Sequence, residues 1–356
     1  MPVTILVPTP LRRFVGGNKS VDVVADTVYG ALTALADRSA DLRRQLFDEQ
    51  GRLRRFVSVF LGSENLRALG PANQGVAVRD GDVLTLVLAV AGGAPTAGGL
   101  SKDEILRYSR HLVMPEVGLQ GQERLKQARV LCIGAGGLGS PLTLYLAAAG
   151  VGTLGIVDSD VVELSNIQRQ TLYATADVGR RKLDAAYERL HQSNPTIEIV
   201  LHPLRLSSGN VLDLVRQYDV VADATDNYPT RYLINDACVL TGKPNVYAAV
   251  SRFEGQVSVF GSKAGPCYRC LFPEPPPREL VPSCEELGVL AVLPGIIGSL
   301  QALEVLKLLL GIGDSLAGRL VLFDGLDLTF RELPVHRSPD CAVCGEHPTV
   351  VAPARV

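Results

Sequence analysis

No charge of one sign dominates this chain. Its 356 residues carry 35 Lys plus Arg against 37 Asp plus Glu, a net charge of −2. That balance gives no long-range pull toward nucleic acid or an anionic membrane, and neither is expected as a partner. Basic runs such as Arg52-Leu53-Arg54-Arg55 read as solvated faces. The opening MPVTILVPTPLRRF has no charged start, apolar run and small-residue cleavage site, so no signal peptide is expected. No apolar stretch reaches the roughly 18 residues of a membrane span. The most apolar one, Val289 to Leu310, is broken by Pro294, Gln301, Glu304 and Lys307 and reads as a buried helix. The five histidines fall in no metal-ligand spacing, and no internal repeat is present. These absences leave a cytoplasmic chain, 47% hydrophobic and long enough for two or three domains.

What is present begins with seven cysteines. Four form two pairs, Cys267-Tyr-Arg-Cys270 and Cys341-Ala-Val-Cys344. In a cytosolic chain, paired C-x-x-C indicates metal rather than disulfides, and four thiolates suit tetrahedral Zn2+. A closed four-cysteine site is structural. The 70 residues between the pairs mean that the metal ties the C-terminal tail back to the main fold. Cys132 and Cys238 read as buried apolar residues, in a strand and a helix. Cys284 follows Pro275-Pro-Pro277 and Pro282-Ser283 in an expected loop.

The pattern changes near residue 93. Before it, Val3 to Val7, Phe56 to Leu61 and Val83 to Val90 read as strands. Thr27 to Ala36 has helical spacing, with Asp26 as candidate N-cap. This unit, residues 1–93, ends in Gly92-Gly93 and suits a small β-grasp-like fold. Residues 94–100 are small and turn-forming, a linker. Ser101 and Glu104 then form a capping box at the start of residues 101–356. From Val130 the chain alternates strand and helix: strands at Val130 to Ile133, Thr153 to Val157, Ile197 to His202, Val220 to Asp223 and Asn245 to Ala248, with helices at Gly139 to Ala149 and Lys182 to Gln192. Gly255 to Phe260 and Leu320 to Asp324 extend the sheet. The fold class is α/β, a mostly parallel sheet with helices on both faces.

Strand Val130 to Ile133 runs into Gly134-Ala-Gly136-Gly137-Leu-Gly139 and then a helix, so this G-x-G-x-x-G stands in a nucleotide-binding context. Asp158, at the end of the next strand, is placed to bind a ribose hydroxyl. The loop alone most often signals a dinucleotide dehydrogenase. The sequence after Asp158 decides otherwise: Ser165-Asn166-Ile-Gln-Arg169-Gln, Val178-Gly-Arg-Arg-Lys182 and Ala224-Thr-Asp226-Asn227. An adenylation site needs cations on the triphosphate, a carboxylate for Mg2+ and a polar wall. Arg169 and Lys182 supply charge, and Asp226 the metal ligand.

With Arg107-Tyr-Ser-Arg110, these stretches and the cysteine pairs make residues 101 to 350 resemble the molybdopterin-synthase adenylyltransferase and its thiamine-pathway counterpart, bacterial relatives of ubiquitin-activating enzymes. The resemblance implies a Rossmann-like adenylating domain that holds ATP and Mg2+ through Gly137, Asp158, Asn166, Arg169, Lys182 and Asp226. It implies a homodimer, with Arg110 reaching the partner subunit's site. It also implies a cysteine in the loop of Cys284 that, in some relatives, takes part in thioester or persulfide chemistry.

Residues 1–93 resemble a ubiquitin-like sulfur-carrier protein, in Ile5-Leu-Val-Pro-Thr9, Phe14-Val-Gly-Gly-Asn-Lys-Ser20, Phe56-Val-Ser-Val59 and Asp80-Gly-Asp-Val83 through Gly92-Gly93. The implied reaction is ATP-dependent adenylation of a carrier's terminal glycine, followed by thiocarboxylate formation. Gly93, however, is bonded to Ala94. Three readings stay open: cleavage after Gly93, which is favoured; an inert fused domain with a separate carrier as substrate; and cleavage after Gly99. A nucleotide-binding scaffold and a protein-modifier enzyme working through Cys284 are the alternatives of other classes. Only a dozen residues follow Cys344, so an external sulfur donor is expected.

Overall fold

The computed structural model describes residues 2–48, 50–54, 57–62, 64–66, 75–88, 99–261, 265–277 and 287–353. The chain divides into two compact units, one of residues 1–96 with 112–118, the other of 97–111 with 119–356. Gly92, Gly93, Cys284 and the linker core 94–98 lie outside the described residues.

Among the described residues, the first unit holds a five-stranded sheet. β1 (Pro2–Leu6) and β2 (Ser20–Val24) form an antiparallel pair. β5 (Val83–Leu88) runs parallel to β1 and antiparallel to β3 (Val57–Leu61), which carries β4 (Glu64–Asn65) on its edge. The order is β2-β1-β5-β3-β4. Alternation turns Val3, Ile5, Val21, Val23, Val57, Val59, Leu84 and Leu86 inward. The helix Val28–Ala36 closes that face with Val28, Ala31, Leu32 and Leu35, a single stripe at i, i+3, i+4, i+7. Its N-cap is Thr27 rather than the expected Asp26. The Thr27 hydroxyl accepts from the Gly30 N–H at 3.1 Å, while its own backbone is extended. The helix Ala40–Leu46 adds Leu42 and Leu46 to the same core.

Among the described residues, the second unit has eight strands: β6 (Arg129–Ile133), β7 (Thr153–Val157), β8 (Glu198–His202), β9 (Val220–Asp223), β10 (Asn245–Ser251), β11 (Glu254–Phe260), β12 (Arg319–Asp324) and β13 (Thr329–Pro334). Their order is β13-β12-β11-β10-β9-β6-β7-β8. From β8 to β10 neighbours are parallel; from β10 to β13 they are antiparallel. Leu131, Ile133 and Val221 share one apolar cluster with helices Val211–Arg216 and Tyr228–Thr241. Helix Leu293–Leu310 packs on helix Gly139–Ala149 closely enough that a Cβ on Gly298 would lie 2.6 Å from the Leu138 carbonyl oxygen. At 18 residues that helix is apolar and long enough to cross a membrane, yet it is a core element. Gln301 Nε2, fully buried, donates to the carbonyls of Asp223 and Val246 at 2.8 Å each, and Glu304 accepts from the Leu316 N–H.

Candidate active site and cysteine centre

Three parallel strands end side by side. Their register pairs Ile133 of β6 with Val157 of β7 and with Asp223 of β9. The residues that follow, Gly134, Asp158 and Ala224, therefore share one edge, where open α/β sheets place ligands. The glycines there are sterically required. Gly134 has φ +97°, and a Cβ on it would meet the Ala224 carbonyl oxygen at 2.7 Å. A Cβ on Gly139 would overlap the Gly134 carbonyl oxygen at 2.0 Å. The turn between them leads directly into the helix Gly139–Ala149, whose N-terminal N–H groups favour an anion.

Asp158 is tied to that turn. One carboxylate oxygen accepts from the Ala135 N–H and the other from the Asp160 N–H, both at 2.8 Å. Asp160 in turn pairs with the nearly buried Lys182 ammonium at 3.0 Å. Segment 165–170 lies over the glycines. A Cβ on Gly136 would stand 3.5 Å from Gln170 Nε2, and one on Gly137 3.8 Å from the Arg169 carbonyl. Within the segment, Asn166 donates to Glu163 at 3.2 Å and accepts from Gln170 at 2.8 Å, Ser165 donates to Glu163, and Arg169 donates to the Ser165 carbonyl. Asp226 is exposed just past β9, and Asn227 caps the helix Tyr228–Thr241 by accepting from the Thr230 N–H at 3.0 Å.

Gly134, Gly136, Gly137, Gly139, Asp158, Ser165, Asn166, Arg169, Lys182, Asp226 and Asn227 thus gather around one sheet edge. Arg110 stands apart. It is exposed on the short helix Ser109–Leu112, and among the described residues no hydrogen bond or ion pair links it to that cluster. Three contributors escaped sequence reasoning. Glu163 organises the Ser165–Asn166 turn. The Tyr173 hydroxyl donates to the Ala135 carbonyl at 2.7 Å, and burial with nearby Asp158 pushes its pKa up. Arg231 lies beneath the Asp226 turn and donates to the Thr225 carbonyl at 2.8 Å. Glu163 and Tyr173 had no signal beyond proximity to the motifs.

The four paired cysteines meet as expected. All four Sγ atoms lie within 4.8 Å of one another, with Cys267–Cys341 at 3.5 Å, Cys270–Cys344 at 3.3 Å and Cys267–Cys270 at 3.9 Å. Four thiolates about 2.3 Å from one zinc ion stand about 3.8 Å apart, so the donor set fits Zn2+. Burial and the neighbouring thiols push Cys267 upward, and burial with the Cys270 bond pushes Cys344 up to about 11. Burial also acts to raise Cys341, but the backbone N–H groups of Cys344 and Val343 bring it below its ordinary value. Cys132 and Cys238 are fully buried, in β6 and in the helix Tyr228–Thr241.

Residues 108–343 match the model of the ThiF family. Among curated proteins, the sulfur carrier protein adenylyltransferase of Thermus thermophilus is 55% identical over 254 residues, which cover 70% of this chain and 94% of that one. The adenylyltransferase and sulfurtransferase MOCS3 of Sus scrofa is 56% identical over 72% of this chain, but the chain spans only 56% of its length. The probable adenylyltransferase/sulfurtransferase MoeZ of Mycobacterium tuberculosis is 53% identical, with 63% of its length spanned. E. coli MccB, solved with AMPCPP and MccA, superposes with a TM-score of 0.60 over 69% of this chain and 75% of its own, at 21% identity, a likeness of fold. Matched from Tyr108 to Val343, well over half of its length, the chain belongs to the ThiF family.

Proposed function

We propose that this chain transfers the adenylyl group of ATP to the terminal carboxylate of a ubiquitin-like sulfur-carrier protein, activating it for thiocarboxylate formation. The observation that carries the proposal is the shared sheet edge of Gly134, Asp158 and Ala224. It supplies a close-approach glycine turn, a ribose-binding carboxylate and, two residues on, the exposed Asp226. The Thermus thermophilus relative supports the same reading.

In this reading the phosphates lie against the glycine turn and the N-terminus of helix Gly139–Ala149. Asp158 takes the ribose hydroxyls, and Asn166 and Asn227 line the polar wall. A carboxylate oxygen of the carrier bonds to the α-phosphorus. The bond from that phosphorus to its bridging oxygen breaks, and pyrophosphate leaves with the electron pair. No side-chain base is required, because the nucleophile is already ionised at neutral pH. Arg169 and Lys182 stabilise charge on the phosphates, and Arg110 does so from the partner subunit of a homodimer. Asp226 holds Mg2+, which neutralises phosphate charge. Cys267, Cys270, Cys341 and Cys344 hold Zn2+ as a structural ion. Sulfide-level sulfur from an external donor then bonds to the carrier's carbonyl carbon, the acyl carbon–oxygen bond to AMP breaks, and AMP leaves with the electron pair, giving the thiocarboxylate.

Residues 1–93, which make up most of the first unit, are in this reading a β-grasp carrier. Its order β2-β1-β5-β3-β4, with β1 and β5 parallel at the centre and the helix Val28–Ala36 across one face, supports it. Cleavage after Gly93 frees the carboxylate. The test is ATP–pyrophosphate exchange by the intact chain, alone and with a fragment of residues 1–93 added. Exchange only with the added fragment is expected. Absence of exchange with that fragment and with any separate carrier overturns the reading.

A further inference from the structure

Arg231 has no place in the site as read from sequence, yet it sits directly beneath it. It lies in the first turn of helix Tyr228–Thr241 and its side chain is partly buried, with Nε out of solvent. Its Nη2 donates to the Thr225 carbonyl at 2.8 Å and its Nη1 to the Tyr247 hydroxyl at 3.2 Å. The guanidinium stands 5.2 Å from the Tyr247 ring centroid and also interacts with the Tyr268 hydroxyl. The Thr225 carbonyl belongs to the peptide that joins Thr225 to Asp226. From its other side the same turn is held by Asp223, whose Oδ1 accepts from the Thr225 N–H at 3.0 Å and from its hydroxyl at 2.6 Å. Asn227 fixes the exit through the helix cap. The backbone on both sides of Asp226 is therefore pinned, while its carboxylate stays exposed.

Stability alone does not explain this arrangement. Asp223 is 1% exposed. Burial pushes its carboxyl up, and the Arg231 charge pulls it back. Asp223 Oδ2 and Arg231 Nε have no hydrogen-bond partner among the described residues. A buried carboxyl and a guanidinium that each leave a polar atom without a partner carry a desolvation cost that their remaining bonds only partly offset. What the pair does provide is a fixed orientation for one backbone carbonyl, held by a planar donor fork that lysine cannot reproduce.

We propose that Arg231 is a positioning residue for the metal–nucleotide site: by clamping the Thr225 carbonyl it sets the direction in which Asp226 presents its carboxylate. This rests on the adenylation reading for the role of Asp226. Tyr247 and Tyr268 brace the clamp. Tyr268 adjoins Cys267, so the brace continues into the cysteine centre. Residues that orient a metal ligand, without touching the metal, typically change metal affinity or activity by about ten-fold or more when replaced.

The test uses the intact chain and the Arg231→Lys variant. ATP affinity is measured by calorimetry with Mg2+ and with EDTA, and the ratio of the two gives the metal-dependent gain. Arg231→Lys keeps the charge beside Asp223 but loses the fork. The gain is expected to fall roughly ten-fold, with affinity in EDTA unchanged. A role in folding alone would leave that ratio intact. If Arg231→Lys does not fold, Tyr247→Phe decides, with a smaller fall in the same ratio expected. An unchanged ratio in the folded variant overturns the proposal. Neither arm needs a carrier or turnover, so loss of exchange in the wild-type chain would overturn the adenylation reading without touching this result.

Discussion

The two units of this chain are built by opposite rules. Among the described residues, sixteen polar or charged side chains are buried, from Glu104 to Glu304, and every one lies in the second unit. The first unit has a core of valine, leucine, isoleucine, alanine and phenylalanine only. An apolar core is non-directional and stabilises at about 25 cal/mol per Å2 buried. Buried polar groups stabilise little on balance, but they fix orientation. The first unit thus reads as a body built for stability. The second gives up stability to hold side chains and backbone carbonyls in place at one sheet edge.

The largest effect that sharpens this contrast is expected at the cysteine centre. Replacing Cys267 with Ser removes a fully buried ligand from a four-thiolate set. Bound zinc, measured by elemental analysis, should fall from one per chain toward zero. The second unit should lose several kcal/mol of stability, because binding energy of a structural metal is folding energy. Amide protection in the first unit should not change. Full zinc retention with unshifted unfolding would remove the structural role of the site.

Next in size is a core substitution in the first unit. Leu84 is 0% exposed, between β1 and β3. Leu84→Ala should cost about 2–5 kcal/mol, as cavity-forming changes in packed cores do. Hydrogen exchange should place the loss in β1, β3 and β5 and leave β6, β7 and β9 protected. Equal loss in both units would break the comparison, because it would make them one cooperative body.

Sequence patterns disclosed the parts of the fold that repeat. The alternation of strand and helix from Val130, the glycine turn and the cysteine spacing each carry a period or a fixed offset, and each stands where it was expected. β13 could not be read in advance. All six of its residues are exposed, so no apolar alternation marks it, and only pairing with β12 makes it a strand. The cap at Thr27 went to the neighbouring Asp26, since both residue types cap helices and backbone geometry alone selects between them. Arg231 had no signal either. An arginine in the first turn of a helix resembles any solvated charge until tertiary packing brings the Thr225 carbonyl and the Tyr247 hydroxyl to it. The Asp160–Lys182 pair joins residues 22 apart and follows no local rule.

The smallest effect probes a buried charge at the edge of the second unit. Glu104 closes the capping box of helix Lys102–Arg107: it accepts from the Ser101 N–H at 2.7 Å and pairs with Lys126 at 2.9 Å. Burial alone would raise its pKa, but the Lys126 and Ser101 bonds outweigh it and hold the carboxyl below the usual 4.5. A carboxyl with a lowered folded pKa contributes stability above its unfolded value, and that contribution is lost as pH falls through the folded one. Glu104→Gln should therefore destabilise the second unit at pH 7 by an amount on the order of 1 kcal/mol, the scale of a cap. The gap between variant and wild type in urea unfolding should stay constant down to about pH 5 and close below pH 4.5, as the wild-type carboxyl takes up its proton. The first unit has no counterpart to this group among its buried residues, so its own transition should not respond to the substitution at any pH. A gap that persists in acid would mean that Glu104 acts through packing rather than charge, and the second unit would then differ from the first less in kind than its buried polar groups suggest.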